Sequence, residues 1–291
     1  MDRPKLGFIG IGVVGNALAR AAAKAGFPVV AVSSRRADRR DALAHDLQTA
    51  VAADTPQAVA DRADLVFLTV PDDAIRPVTE SIRWREGQAV VHCNGASSLA
   101  PLNAAAEQGA AIGVFHPLQS LATDAEAEAR IPGSPIGIEA SSEDLAKTLA
   151  ALAEALGATP LVLRGDAAIY HASAVIASNY LVALLDAAAG LWEHLGLTKA
   201  EGLEALLPLV RGTVENLGTV GLPDALTGPI ARGDVGTIER HLDALTRIAP
   251  DVLPLYREMA RRTIPIAVEK RTIDEAAAAR LRREVQQVEA G

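Results

Sequence analysis

The chain has 291 residues, 49% of them hydrophobic and 22% charged, which is enough for two domains with cores of their own and too apolar for disorder. A formal net charge of −8 excludes the broad basic surface that a nucleic-acid partner requires. The single cysteine, Cys93, excludes an intrachain disulfide. With no signal-peptide pattern in MDRPKLGFIG and no uncharged stretch read as approaching a membrane span, it points to a cytoplasmic protein without a membrane partner.

From Leu6 to Arg164, short β-branched runs alternate with alanine-rich helical stretches. Strands are expected in LGFIG, PVVAVS, DLVFLTV, QAVVHC, AAIGVF, PIGIEA and TPLVLR. Helices between them include VVGNALARAAAKAG and SSEDLAKTLAALAEALG. This rhythm predicts an α/β domain over residues 1–165: a doubly wound, mainly parallel sheet of Rossmann type with helices on both faces. Past Arg164 the strand pattern stops. The stretch from Asp166 reads as one long helix closed by Gly196, and further helices make 166–291 an all-α domain for substrate and dimerisation.

The first strand runs into Gly10-Ile11-Gly12-Val13-Val14-Gly15 and then into a helix, the context in which Gly-x-Gly-x-x-Gly cradles a dinucleotide pyrophosphate. Gly10 permits the tight turn, Gly12 admits the phosphates, Gly15 lets helix and strand approach, and the helix N-terminus offers free N–H groups. About 20 residues on, an NAD site would carry an acid on the ribose. Here stand Ser33, Ser34, Arg35 and Arg36, which repel nothing and suit a 2′-phosphate, so the expected cofactor is NADP(H). Arg39 and Arg40, on the following helix, read as solvated surface. Val70, Pro71 and Asp72 close a later strand on the same edge and are expected to border the dinucleotide, with Asp72 also suited to cap a helix.

Two further strands end there in polar loops. The first holds His92, Cys93, Asn94, Gly95, Ser97 and Ser98. His92 reads as a satisfied core histidine and Cys93 as packing, while Asn94 is expected at the nicotinamide and Gly95 and Ser97 at the substrate. His116, before a proline, is placed to donate a proton to a carbonyl oxygen that receives hydride. On the long helix, His171 and Ser178 are two turns apart and share a face, with Asn179 beside them. His116, His171 and Asn179 are the catalytic candidates. Ser178, Arg211 and Arg232 are candidate substrate ligands, the arginines for a carboxylate. No set of residues suggests a metal site.

The stretches GFIGIGVVG, VPDDAI, HCNGA, HPLQS, YHASAVIASNYLVAL, LLPLVRGTVENL and LTGPIARGD together resemble the Rossmann-like, DUF2520 domain-containing proteins. That family is similar in architecture to the 6-phosphogluconate dehydrogenase-like group, which includes ketopantoate reductases, β-hydroxyacid dehydrogenases, pyrroline-5-carboxylate reductases and prephenate dehydrogenases. The resemblance implies NADP binding in the first domain and an all-helical second domain that dimerises and completes the active site. Ketopantoate reductases and β-hydroxyacid dehydrogenases use a lysine from the helix entering the second domain. This chain's lysines, Lys5, Lys24, Lys147, Lys199 and Lys270, all lie elsewhere, and His171 stands in that region. The expected activity is therefore NADPH-dependent reduction of a small, ketopantoate-like 2-oxo acid with a histidine as proton donor. An imine reductase and a non-catalytic NADPH-binding sensor are the alternatives.

Overall fold

Among residues 3–286, which the computed structural model describes, eight strands form one sheet. They are β1 Leu6–Ile9, β2 Val29–Ser33, β3 Val51–Ala52, β4 Leu65–Leu68, β5 Ala89–His92, β6 Ala111–Pro117, β7 Pro135–Ala140 and β8 Thr159–Val162. Their order is β3-β2-β1-β4-β5-β6-β7-β8. All pair in parallel except β6 and β7, which run antiparallel and set His116 opposite Gly137. The order reverses between β1 and β4, the switch point where open α/β sheets bind ligands beyond their strand ends. All seven expected strands are present. The eighth, Val51–Ala52, has only two residues, both exposed, and so carries no periodic signal.

Apolar strands buried on both faces need a core on each side, and two buried clusters supply them. In one, Phe8 and Phe67 are register partners stacked at 4.8 Å, and Phe115 meets Phe67 edge-on at 5.5 Å. Helix Val13–Lys24 lays Leu18, Ala19 and Ala22 on that core, and helix Glu143–Ala155 adds Leu145, Leu149 and Leu152.

The compact units are Met1–Ser178 and Asn179–Gly291. They part later than the expected 165/166 division because helix Ala167–Ala177 keeps Tyr170 against β6 and β7. The expected single long helix is interrupted. It ends at Ala177 with Ser178 as its C-cap, at φ −114° and ψ −66°, and Asn179–Gly190 and a 3₁₀ turn Leu191–Leu195 follow. Gly196, at φ +82°, ends the run as expected.

The reading that no stretch approaches a membrane span is corrected here. No Asp, Glu, Lys or Arg stands between Ala167 and Leu185. The run Ala167–Leu195, 29 residues with mean hydropathy 1.6, is long and apolar enough by length and composition. Its interruption at Ser178 and its place in an α/β-plus-helical chain make it weak grounds for a membrane segment.

In the second unit, helices Val235–Ile248, Leu253–Glu269 and Glu275–Gln286 bury Ile238, Leu242, Ile264 and Leu281 among themselves. Helices Asn179–Gly190 and Lys199–Val220 differ. They bury only Ala189 and Gly202, leaving Tyr180, Val182, Leu209, Val214 and Val220 exposed.

Candidate active site

A cavity of about 890 Å³ opens at the switch point. Gly10, Gly12, Val13, Val14, Ser33, Ser34, Arg35, Arg36, Val70 and Pro71 line it, as expected from their places at strand ends. Gly10 takes φ +97°, a conformation that favours glycine. Gly15 lies behind the lining, where a Cβ would strike the Gly10 carbonyl oxygen and the Thr69 hydroxyl. Gly12 is the reverse case. Nothing of the protein lies within 4 Å of its absent Cβ, so the turn is open on the side a pyrophosphate would approach. Gly12 is also the N-cap of Val13–Lys24 and makes no side-chain bond there, leaving the first N–H groups of the helix to a ligand.

The cavity's cations follow β2. Ser33 is buried, and the Ser34 hydroxyl accepts a hydrogen bond from the Arg36 N–H at 3.2 Å. Arg36 pairs with Asp38 at 2.7 Å, whereas Arg35 makes no ion pair among the described residues. Arg39 and Arg40 are not the solvated surface they were read as. Arg39 lines the cavity and binds Asp124, and Arg40, its side chain 15% exposed, pairs with Asp41 and Asp54. An open glycine turn, free helix N–H groups and an uncommitted Arg35 beside two serines fit a dinucleotide with a 2′-phosphate.

Asp72 does not cap. Pro71 holds the N-cap position of Asp72–Glu80 without a side-chain bond, and Asp73, not Asp72, reaches the cavity.

Next along the edge, the loop after β5 is closed by its own side chains. The Asn94 N–H donates to His92 Nδ1 at 3.2 Å, and His92 Nε2 then donates to the Ser98 carbonyl at 3.0 Å. The Asn94 amide donates to Ser97 Oγ at 2.9 Å, and its Oδ1 accepts from the Ala96 N–H at 2.7 Å. His92 is thus a satisfied core histidine, held below its ordinary pKa chiefly by burial. Asn94 and Ser97 shape the loop. Burial pushes the Cys93 thiol up, which removes it as a nucleophile.

His116 lies against this loop. A Cβ on Gly95 would sit 2.6–2.8 Å from three atoms of its ring. Its Nδ1 is 3.1 Å from the hydroxyl of Tyr170, the rings meet edge-on at 5.6 Å, and the His171 ring follows at 6.0 Å. Burial, with His171 and His92 nearby, lowers the His116 pKa to about 4, so the imidazole is neutral at pH 7. His116 and His171, two of the three catalytic candidates, are thus neighbours. Tyr170 escaped the sequence reading although it adjoins His171, because its partner is 54 residues away in the chain.

Ser178 is an exposed helix end, and Asn179, Arg211 and Arg232 belong to the second unit, the arginines exposed. No group of three potential metal ligands occurs among the described residues.

Residues 5–95 match the family described as NADP oxidoreductase, coenzyme F420-dependent, and residues 134–263 match the domain of unknown function DUF2520. No curated protein matches the chain in sequence. Among solved structures, it is similar to a Bacteroides fragilis protein provisionally described as an NADP oxidoreductase, with 26% identity over 90% of this chain and 98% of that one and a TM-score of 0.70. Protein TM1727 from Thermotoga maritima is 25% identical over 91% and 99%, with a TM-score of 0.71. A 1-pyrroline-5-carboxylate reductase from Streptococcus pyogenes shares the fold alone, at 20% identity over 97% and 99% and a TM-score of 0.61. Along the chain, a match of NADP-oxidoreductase type is thus followed by a match to the DUF2520 domain.

Proposed function

We propose that this protein is an NADPH-dependent oxidoreductase that reduces a small carbonyl acid, with ketopantoate-like 2-oxo acids as the first class to test. One observation carries the reading. A cavity with an open glycine turn and an uncommitted arginine lies on the strand edge that also ends in His116, against which Tyr170 and His171 pack. When bound, the reduced cofactor supplies hydride. Gly10, Gly12 and the start of helix Val13–Lys24 would hold its pyrophosphate, and Ser34 and Arg35 its 2′-phosphate.

The test is NADPH oxidation by the purified protein against 2-oxo acids, β-keto acids and cyclic imines, with NADH as control. Turnover of one class with NADPH preferred supports the reading. NADPH binding with no turnover of any class returns the sensor alternative. Arg35→Ala is expected to raise the Kd for NADPH about 10–100-fold, the worth of one or two charge-assisted bonds, and to leave NADH binding unchanged. Equal losses for both cofactors would move the 2′-phosphate site elsewhere.

A second reading, reduction of a C=N bond, is favoured by the neutral His116. A protonated iminium brings its own proton and needs no acid from the protein. Its rate would fall as pH rises through the pKa of the substrate imine, whereas carbonyl reduction would follow a group of the protein.

The working form on this reading is a cytoplasmic homodimer. Helices Asn179–Gly190 and Lys199–Val220 have almost no buried face of their own, and their exposed Val182, Leu209, Val214 and Val220 suit a second copy. Val182→Glu with Leu209→Glu is expected to yield monomers in sedimentation velocity. Wild-type protein that sediments as a monomer and binds lipid vesicles would instead assign this face to a membrane.

A further inference from the structure

Resting on the carbonyl-reductase reading, we propose that Tyr170 is the proton-donating catalytic residue and His116 its relay, because the Tyr170 hydroxyl lies 3.1 Å from His116 Nδ1 in a niche that two glycines leave open.

The niche is built from three directions. Gly137 is the register partner of His116 across β6 and β7, and a Cβ there would stand 2.9 Å from the Tyr170 hydroxyl. Gly95 clears the other side, where a Cβ would press on the imidazole. Tyr170 itself sits in the first turn of Ala167–Ala177, a helix start fixed by the Asp166 side chain accepting from the Ala168 N–H at 2.8 Å. Any side chain at either glycine would separate the pair.

The chemistry divides the work between the two groups. A buried neutral imidazole is too weak an acid to protonate the substrate itself, and it can pass on its one N–H proton only as its other nitrogen takes up another. A phenol, its ionisation pushed further up by partial burial, stays protonated at pH 7 and is acid enough for an alkoxide. The carbonyl carbon takes hydride from the reduced dinucleotide, and its oxygen takes the Tyr170 hydroxyl proton. The phenolate oxygen takes the proton from His116 Nδ1, and His116 Nε2, which has no partner among the described residues, takes one from water. Tyr170 and His116 end neutral, and one hydride and one proton have been added to the substrate. The groups facing His116 are Tyr170 and His171 of the helix and His92 of β5, none of them an acid that would hold an imidazolium.

Tyr170→Phe keeps the ring and its packing. It is expected to lower kcat at least 100-fold for the carbonyl acid that the wild type turns over. The NADPH Kd should stay within twofold and the melting temperature should be unchanged. His116→Gln, which keeps a polar contact but cannot pass a proton between two nitrogens, is expected to lower kcat at least tenfold, and the double variant no further than Tyr170→Phe alone. A readout independent of turnover is ¹⁵N NMR of the His116 ring. The wild type should hold the Nδ1–H tautomer, and Tyr170→Phe should move it towards Nε2–H. If Tyr170→Phe keeps kcat within threefold, the proposal falls and the reductase reading stands. A kcat loss with the tautomer unmoved overturns the relay. Wild-type protein that binds NADPH and reduces no carbonyl removes the reading itself, and the proton donor with it.

Discussion

Gly15→Ala is expected to destabilise the protein by about 3 kcal/mol, the upper end of the overpacking range, and to abolish tight dinucleotide binding. The added methyl would meet the Gly10 carbonyl oxygen on one side and the Thr69 side chain on the other. Gly10 is held by its own hydrogen bond to the Ser33 carbonyl and by its φ of +97°. Thr69 is bonded to β1 through both its N–H and its hydroxyl. Neither neighbour can withdraw without opening the turn, so stability and binding fail together. Gly12→Ala separates the two effects. Its backbone, at φ −83° and ψ −168°, suits any residue, and its absent Cβ points into empty space. That variant should stay within about 0.5 kcal/mol of wild type, since lost chain freedom in the unfolded state offsets a poorer N-cap. Its NADPH affinity should still fall at least tenfold. Urea unfolding and NADPH titration of the two variants check the pair. Equal stability losses would mean that the glycine turn is held differently.

Lowering the pH from 7 to 4 is expected to remove about 3 kcal/mol of stability through His116. Its ordinary pKa of 6.5 applies to the unfolded chain, and burial brings the folded value to about 4. Between these limits the unfolded state binds a proton that the native state refuses. The contribution is whole above pH 6.5 and is lost progressively as pH falls towards 4. His92, also held below its ordinary value, acts in the same direction. The lowered carboxylates Asp46, Asp234 and Glu258 act below their ordinary range, in a more acid window. Urea unfolding across this range should show a slope that His116→Gln flattens. An unchanged slope would mean that the His116 ring takes up its proton in the folded protein.

The nucleotide half of the site was legible in the sequence because its signals are local. A glycine triplet between strand and helix, and serines and arginines where an acid would stand, occupy short consecutive stretches whose chemistry does not depend on distant residues. The His92 reading succeeded for the same reason, since both its hydrogen-bond partners lie within six residues. Two misreadings arose where local pattern was trusted too far. Arg39 and Arg40 lie on a polar helix and look solvated, yet Asp124, 85 positions away, binds Arg39 at the cavity and Asp54 pairs with Arg40. The uninterrupted apolar run after Asp166 hides the turn at Ser178, which no proline or glycine announces.

What the sequence by itself determined was the alternating α/β half, the following helices, the glycine turn and the preference for a 2′-phosphate, all consequences of periodicity and of residue chemistry at strand ends. Tertiary structure decided the rest. Antiparallel pairing of β6 with β7 puts Gly137 beside His116, and the return of the helix after β8 brings Tyr170 to the same place. Burial then sets the imidazole neutral, and with it the division of labour between acid and relay. Those contacts join residues 21 to 54 positions apart, and only the assembled sheet, with no room for a Cβ at Gly95 or Gly137, brings them within hydrogen-bonding reach.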